Sequence, residues 1–246
     1  MIGIYLISKK INKKIFNIQD PILNSFTCTA IIISIYLILA YLFIFKYNTN
    51  LASVTIFIFF FAIGLINIIK NNKNIINTYK KNIKRITNIS NLFLIILISL
   101  YFFSAFLPAS DIDSMRYHLE IPKRIIEGNF YNNITLDYAL LGPNEIINLF
   151  GLNLFFENSA SILNFFYLFL LINSNYFLYL KYNIGTKYFG SLLIASSPIF
   201  ISSITSQKIT TLPIYILVYV LVYILLNKNI LKFKVNLLLS SISIIA

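Results

Sequence analysis

Ile22-Leu-Asn-Ser-Phe-Thr-Cys-Thr-Ala-Ile-Ile-Ile-Ser-Ile-Tyr-Leu-Ile-Leu-Ala-Tyr-Leu-Phe-Ile-Phe45 contains no charged residue. A helix rises about 1.5 Å per residue, so about 20 apolar residues cross the hydrocarbon core of a bilayer. The run therefore reads as a membrane-spanning helix. Five more stretches meet or nearly meet the same criterion, at residues 51–69, 89–107, 159–180, 188–205 and 209–226, and none carries a charge. A last apolar run, 235–246, is too short to cross, which predicts that a seventh helix continues past it. The expected fold is all-α, a polytopic bundle of membrane helices.

Composition agrees with that fold. The chain of 246 residues is 58% hydrophobic and 11% charged, against about 25% charged in a soluble domain. Its net charge of +12 would suggest nucleic acid in a soluble protein. Here the bases sit in short segments between apolar runs, where they act as topology signals, so no nucleic-acid partner is expected. Cys28 is the only cysteine and lies in an apolar run, so neither an internal disulfide nor a thiolate metal site is expected. Lys9, Lys10, Lys13 and Lys14 precede the first run as in a signal peptide. That run is too long for a signal core and lacks a small-residue cleavage site, so it reads as an uncleaved signal anchor. Phe and Tyr are spread through the spans and read as lipid-facing and interfacial packing residues.

Lysine and arginine collect on the cytoplasmic side of a membrane. With the N-terminus inside, 15 of the 20 bases fall inside, including Lys70, Lys73, Lys80, Lys81, Lys84 and Arg85. The chain is accordingly expected in the cytoplasmic (inner) membrane as a multi-pass protein with its N-terminus inside. Residues 1–88 form a basic N-terminal segment with two spans and a cytoplasmic basic loop. Residues 89–246 form a second module, expected to be incomplete at its C-terminal end, with an extracytoplasmic loop at 108–158. Within that loop, 146–156 is too short to cross and is expected to lie in the interface.

The same loop gathers the acids. Seven of the eight Asp and Glu residues fall between Asp111 and Glu157, and the only histidine, His118, lies among them. Pro108 ends the third span, which puts Asp111 and Asp113 near the height of lipid phosphates. Two readings of Asp113 stand open. It can close a capping box with Ser110. It can also deprotonate an attacking hydroxyl or, with Asp111, share a divalent cation such as Mg²⁺ or Mn²⁺. Arg116 and Glu120 are i,i+4 neighbours that can pair on a solvated helix face. Arg116, Lys123 and Arg124 equally make a clamp for phosphate. His118 has no second His or Cys to complete a metal site and is read as a general acid or a phosphate hydrogen-bond donor. Pro122 is expected to break or kink the loop helix and Gly128 to end it. Glu145, after Gly142-Pro143, reads as a partner for the dipole of the next helix or as a substrate contact. Asn164, Asn173 and Asn175 in the fourth span can hydrogen-bond between helices.

Asp111-Ile-Asp-Ser-Met-Arg-Tyr-His-Leu-Glu-Ile-Pro-Lys-Arg124, then Gly128, then Gly142-Pro-Asn-Glu-Ile-Ile-Asn-Leu-Phe-Gly-Leu just before a span, resembles the first extracytoplasmic loop of polytopic GT-C glycosyltransferases. The likeness is greatest to the bacterial branch related to protein mannosyltransferases and lipid A aminoarabinose transferases, and it covers roughly residues 90 to 180. The resemblance implies transfer of a sugar from a polyprenyl-phosphate donor to an extracytoplasmic glycan, lipid or protein acceptor, with inversion at the sugar carbon. It also implies that Asp113, the acid before Tyr117-His118, is the catalytic carboxylate, with Asp111 as an additional acid. Arg116, Tyr117, His118, Lys123, Arg124 and Glu145 would then contact substrate. Two spans precede the matching region, and family members continue with helices beyond the point where this sequence ends. The alternatives are a transporter or flippase-like protein, or a membrane assembly factor without catalysis. Transport pathways usually place ionisable groups within the bilayer, and these spans carry none.

Overall fold

The computed structural model describes residues 1–16, 21–44, 48–83, 89–108, 114–127, 142–183 and 189–206. Every regular element among them is helical: α1 Ile2–Phe16, α2 Pro21–Ile44, α3 Thr49–Ile83, α4 Ile89–Ser104, a π-helical turn Ser114–Leu119, α5 Glu120–Ile126, α6 Pro143–Leu152, α7 Ser159–Tyr182, α8 Phe189–Ala195 and α9 Pro198–Thr205. Among the described residues, three stretches are long and apolar enough to cross a membrane, Pro21–Phe43, Thr49–Lys70 and Ser159–Tyr182. They correspond to the first, second and fourth expected spans. The segments expected at 209–226 and 235–246 lie outside the described residues.

Polar pairs fix how the helices run past one another. Asn12 Nδ2 donates to Asn24 Oδ1 at 2.7 Å, and Ser8 Oγ lies 3.2 Å from Cys28 Sγ. The residue numbers rise on α2 as they fall on α1, so the two are antiparallel. The lysine-bearing start of the sequence is therefore a helix packed against the bundle. Ser25 Oγ meets Ser174 Oγ at 3.3 Å, which lays the C-terminal half of α7 along the start of α2. Such contacts are the usual adhesive between helices in a medium as apolar as their own side chains. Asn175, singled out above, fulfils this role by donating to Ser191 Oγ at 3.0 Å. Where α1 crosses α3, a Cβ on Gly3 would overlap the Phe60 carbonyl, so only glycine permits that approach.

Two expected spans depart from single full-length helices. The third has 16 residues in α4, about 24 Å of rise, and winds down in a turn at Ala105 to Leu107. The fifth, expected over 188–205, is broken into α8 and α9 at Ser196-Ser197-Pro198. Proline has no N–H to donate and its ring collides with the carbonyl four residues back, so the helix stops before it. Tyr101 Oη donates to the buried carbonyl of Ala195, at the end of α8, at 2.5 Å, meeting one of the acceptors that a helix end leaves without a partner. Ser191 pairs with Asn175, and Ser161 Oγ donates to the Ser206 carbonyl at 3.1 Å. The broken pair thus runs antiparallel to α7 over most of its length.

These directions separate the two ends of the bundle. Lys9, Lys10, Lys13, Lys14, Lys70 and Lys181 lie toward one end, beside the start of α2 and the end of α7. The opposite end carries α5 and α6. Asn153 Nδ2 donates to Ser53 Oγ near the start of α3 at 3.1 Å, and Asn158 Nδ2 donates to the Phe106 carbonyl at 2.8 Å.

Candidate functional site

The π-helical turn and α5 form one short strap, and proline explains its geometry. Pro122 cannot give a backbone hydrogen bond to the carbonyl four residues earlier, which belongs to His118. Asn148 Nδ2 donates to that carbonyl at 2.9 Å instead. The helix widens to π geometry just where this donor is lost, as π-bulges in helices commonly do at functional sites. Asn148 is fully buried, and its Oδ1 accepts from Ser159 Oγ at 3.1 Å. One asparagine of α6 therefore fastens the strap to the start of α7. Gly151, one turn further along α6, packs so close to Ser159 that a Cβ would overlap its side chain.

Glu145 occupies the third position of α6 and is 4% exposed. Its two oxygens have separate partners. Oε2 accepts the Gly142 N–H at 2.7 Å, the reciprocal half of a capping box at a helix start that also favours negative charge. Oε1 lies 2.5 Å from His118 Nδ1. A carboxylate offers only acceptors, so this contact places a proton on Nδ1 and fixes the ring. The opposite ring nitrogen, Nε2, has no hydrogen-bond partner among the described residues. It can serve a donor or acceptor of a bound molecule. The role read for Glu145 as a helix-dipole partner and its nearness to His118 thus coexist on one side chain.

Lys123 Nζ lies 3.3 Å from Glu157, and Arg124 Nε lies 2.9 Å from Glu120. Glu120 therefore takes Arg124 one turn downstream, and the pairing with Arg116 read from the spacing involves a side chain outside the described part. Both choices are i,i+4 on a helix. α5 keeps regular geometry on the downstream side. The Lys123–Glu157 pair joins α5 to the turn between α6 and α7. Both pairs are partly exposed, and such pairs contribute about 0 to 1 kcal/mol, so Lys123 can exchange its carboxylate for a phosphate at little cost.

The structure thus brings together His118, Glu145, Lys123 and Arg124 of the residues singled out from the sequence. Arg116 and Tyr117 lie in the π-helical turn, and their side chains are outside the described part. Asp111, Asp113 and Gly128 lie outside the described residues, as does the capping box proposed for Ser110 and Asp113. Among the described residues no three His, Cys, Asp or Glu side chains come together as a metal site. Asn148 was missed in the sequence, although two signals pointed to it: Pro122 leaves the His118 carbonyl without its helical donor, and Asn148 shares a helix face with Glu145, three residues before it. Ser159 carried no such signal. No family model matches the chain, and no curated protein or solved structure matches it either.

Proposed function

We propose that the chain is a membrane glycosyltransferase of GT-C type that moves a sugar from a polyprenyl-phosphate donor to an extracytoplasmic acceptor. The observation that carries the proposal is the His118–Glu145 contact, held by α5 and α6 at the end of the bundle opposite the lysine-bearing helix ends. By the positive-inside rule those lysine ends are cytoplasmic, so the strap and the acid-rich stretch before it face outward in the cytoplasmic membrane.

In the reaction, Asp113 takes the proton of the acceptor hydroxyl as its oxygen attacks the anomeric carbon from the face opposite the phosphate. The carbon–oxygen bond to phosphate breaks, polyprenyl phosphate leaves with the bonding pair, and the sugar carbon is inverted. Arg116, Lys123 and Arg124 hold the phosphate, the latter two after parting from Glu157 and Glu120. His118, oriented by Glu145, presents Nε2 to the leaving phosphate or to a sugar hydroxyl, and Tyr117 lines the same site. Asp111 and Asp113 offer the hard oxygen ligands that Mg²⁺ or Mn²⁺ prefers, and a cation there would neutralise the phosphate.

Sidedness is the experiment that decides this proposal first. A cysteine at Asn132, between α5 and α6, is expected to react with a membrane-impermeant thiol reagent in intact cells. Cys28 is fully buried and gives a low background. Modification only after lysis would place the strap in the cytoplasm, where the proposed reaction does not occur.

A further inference from the structure

We infer that the groove between the start of α1, α2, α3, α6 and the start of α7 is a binding site for one acyl chain of a bilayer phospholipid, separate from the site that takes the sugar donor. The cavity has a volume of about 500 Å³. It follows α3 from Ile56 to Ile68, a rise of about 18 Å. That length is of the order of one extended acyl chain.

Chemistry and access both point to the bilayer as the source. The lining is apolar apart from the Met1 amino group, the Tyr36 hydroxyl, Ser159 and backbone groups, and Ser159 Oγ is already engaged with Asn148. The floor is built by buried Ile32 and Leu163. One wall is a ridge on α3, Phe57, Phe61, Leu65 and Ile68, whose spacing puts all four on one helix face. These residues line the groove yet remain 38–54% exposed, so the groove opens sideways from a helix long enough to cross a membrane. The medium on that side is lipid hydrocarbon, and an apolar slot facing it gains dispersion contacts by taking up a chain.

Among the described residues, none of His118, Lys123, Arg124 and Glu145 lines the groove. Ile147, Phe150, Gly151 and Leu154 of α6 face it, whereas Glu145 and Asn148 of the same helix face the strap. A donor lipid with its phosphate at the strap would run on the other side of α6.

The test uses the full chain in vesicles of phosphatidylethanolamine and phosphatidylglycerol, a fraction of which carries a diazirine in mid-chain. Crosslinks are expected at groove residues such as Ile56 and Phe60 at least fivefold above the outward residues Ile58, Phe59 and Ile66. Ile35→Trp and Ile56→Trp, which fill the slot, are expected to cut groove labelling about tenfold and leave outward labelling unchanged. Equal labelling of groove and outward residues in the wild-type protein would reduce the lipid to an ordinary annulus and overturn the inference, whether or not the tryptophan variants fold. Competition by polyprenyl phosphate but not by unlabelled phospholipid would also overturn it, because the groove would then belong to the donor. A photoreactive residue at Leu65 that joined only to protein would do the same. Asp113→Asn is expected to label like wild type, so loss of sugar transfer and loss of lipid binding are read separately.

Discussion

Asp113→Asn is expected to reduce sugar transfer by about 10² to 10⁴, the usual contribution of a general base, with the protein still folded in the membrane. Asparagine matches aspartate in size and caps a helix as well, so a structural role for Asp113 beside Ser110 survives the change. What asparagine lacks is a charge that can accept the acceptor's proton or hold a cation. Asp111→Asn is expected to cost less, because an additional acid contributes field and not the proton transfer itself. The measurement is transfer of radiolabel from a lipid-phosphate sugar in membranes that contain equal amounts of each variant. Transfer at the wild-type rate in Asp113→Asn would leave only the capping role.

Glu145→Ala is expected to destabilise the protein by about 3 kcal/mol, because it removes one buried side chain that answers two donors. The Gly142 N–H at the start of α6 and His118 Nδ1 would both lose their acceptor. Glu145→Gln keeps an oxygen for the cap, since glutamine serves at the third helical position as glutamate does. It is expected to cost about 1 kcal/mol, chiefly through the weaker bond from a neutral acceptor to His118. In thermal unfolding in detergent the alanine variant should melt roughly 6 to 12 °C below wild type. Equal losses from the two variants would show that charge on Glu145, and not its place in the cap, supports the strap. Two variants within about a degree of wild type would show that the strap contributes nothing to the fold.

The three long spans were legible because length and hydropathy alone decide whether a helix can cross a bilayer. Hydropathy does not register a missing backbone donor. The run at 188–205 looks as apolar as its neighbours, yet Pro198 divides it into α8 and α9. The strap was legible only in part. The grouping of seven acids with His118 marked the region, but His118 and Glu145 are 27 residues apart in sequence, and no local periodicity brings them together. That contact depends on α6 folding back over α5. It is fastened by Asn148 and by the tight packing of Gly151 against Ser159. The pairing of Glu120 was a local choice between Arg116 and Arg124. Spacing alone cannot decide it, because both lie at i,i+4, and the pair with Arg124 is the one found among the described residues.

Purified full-length protein in phospholipid nanodiscs, given a radiolabelled polyprenyl-phosphate sugar and a membrane extract as the source of acceptor, puts the proposed reaction to its most direct test. Release of polyprenyl phosphate, matched mole for mole by label on acceptor, is the expected result, with a nucleotide sugar giving none. An intact donor after long incubation, with protein whose melting curve shows it folded and with Asp113 unchanged, would contradict the assignment of sugar transfer to this chain.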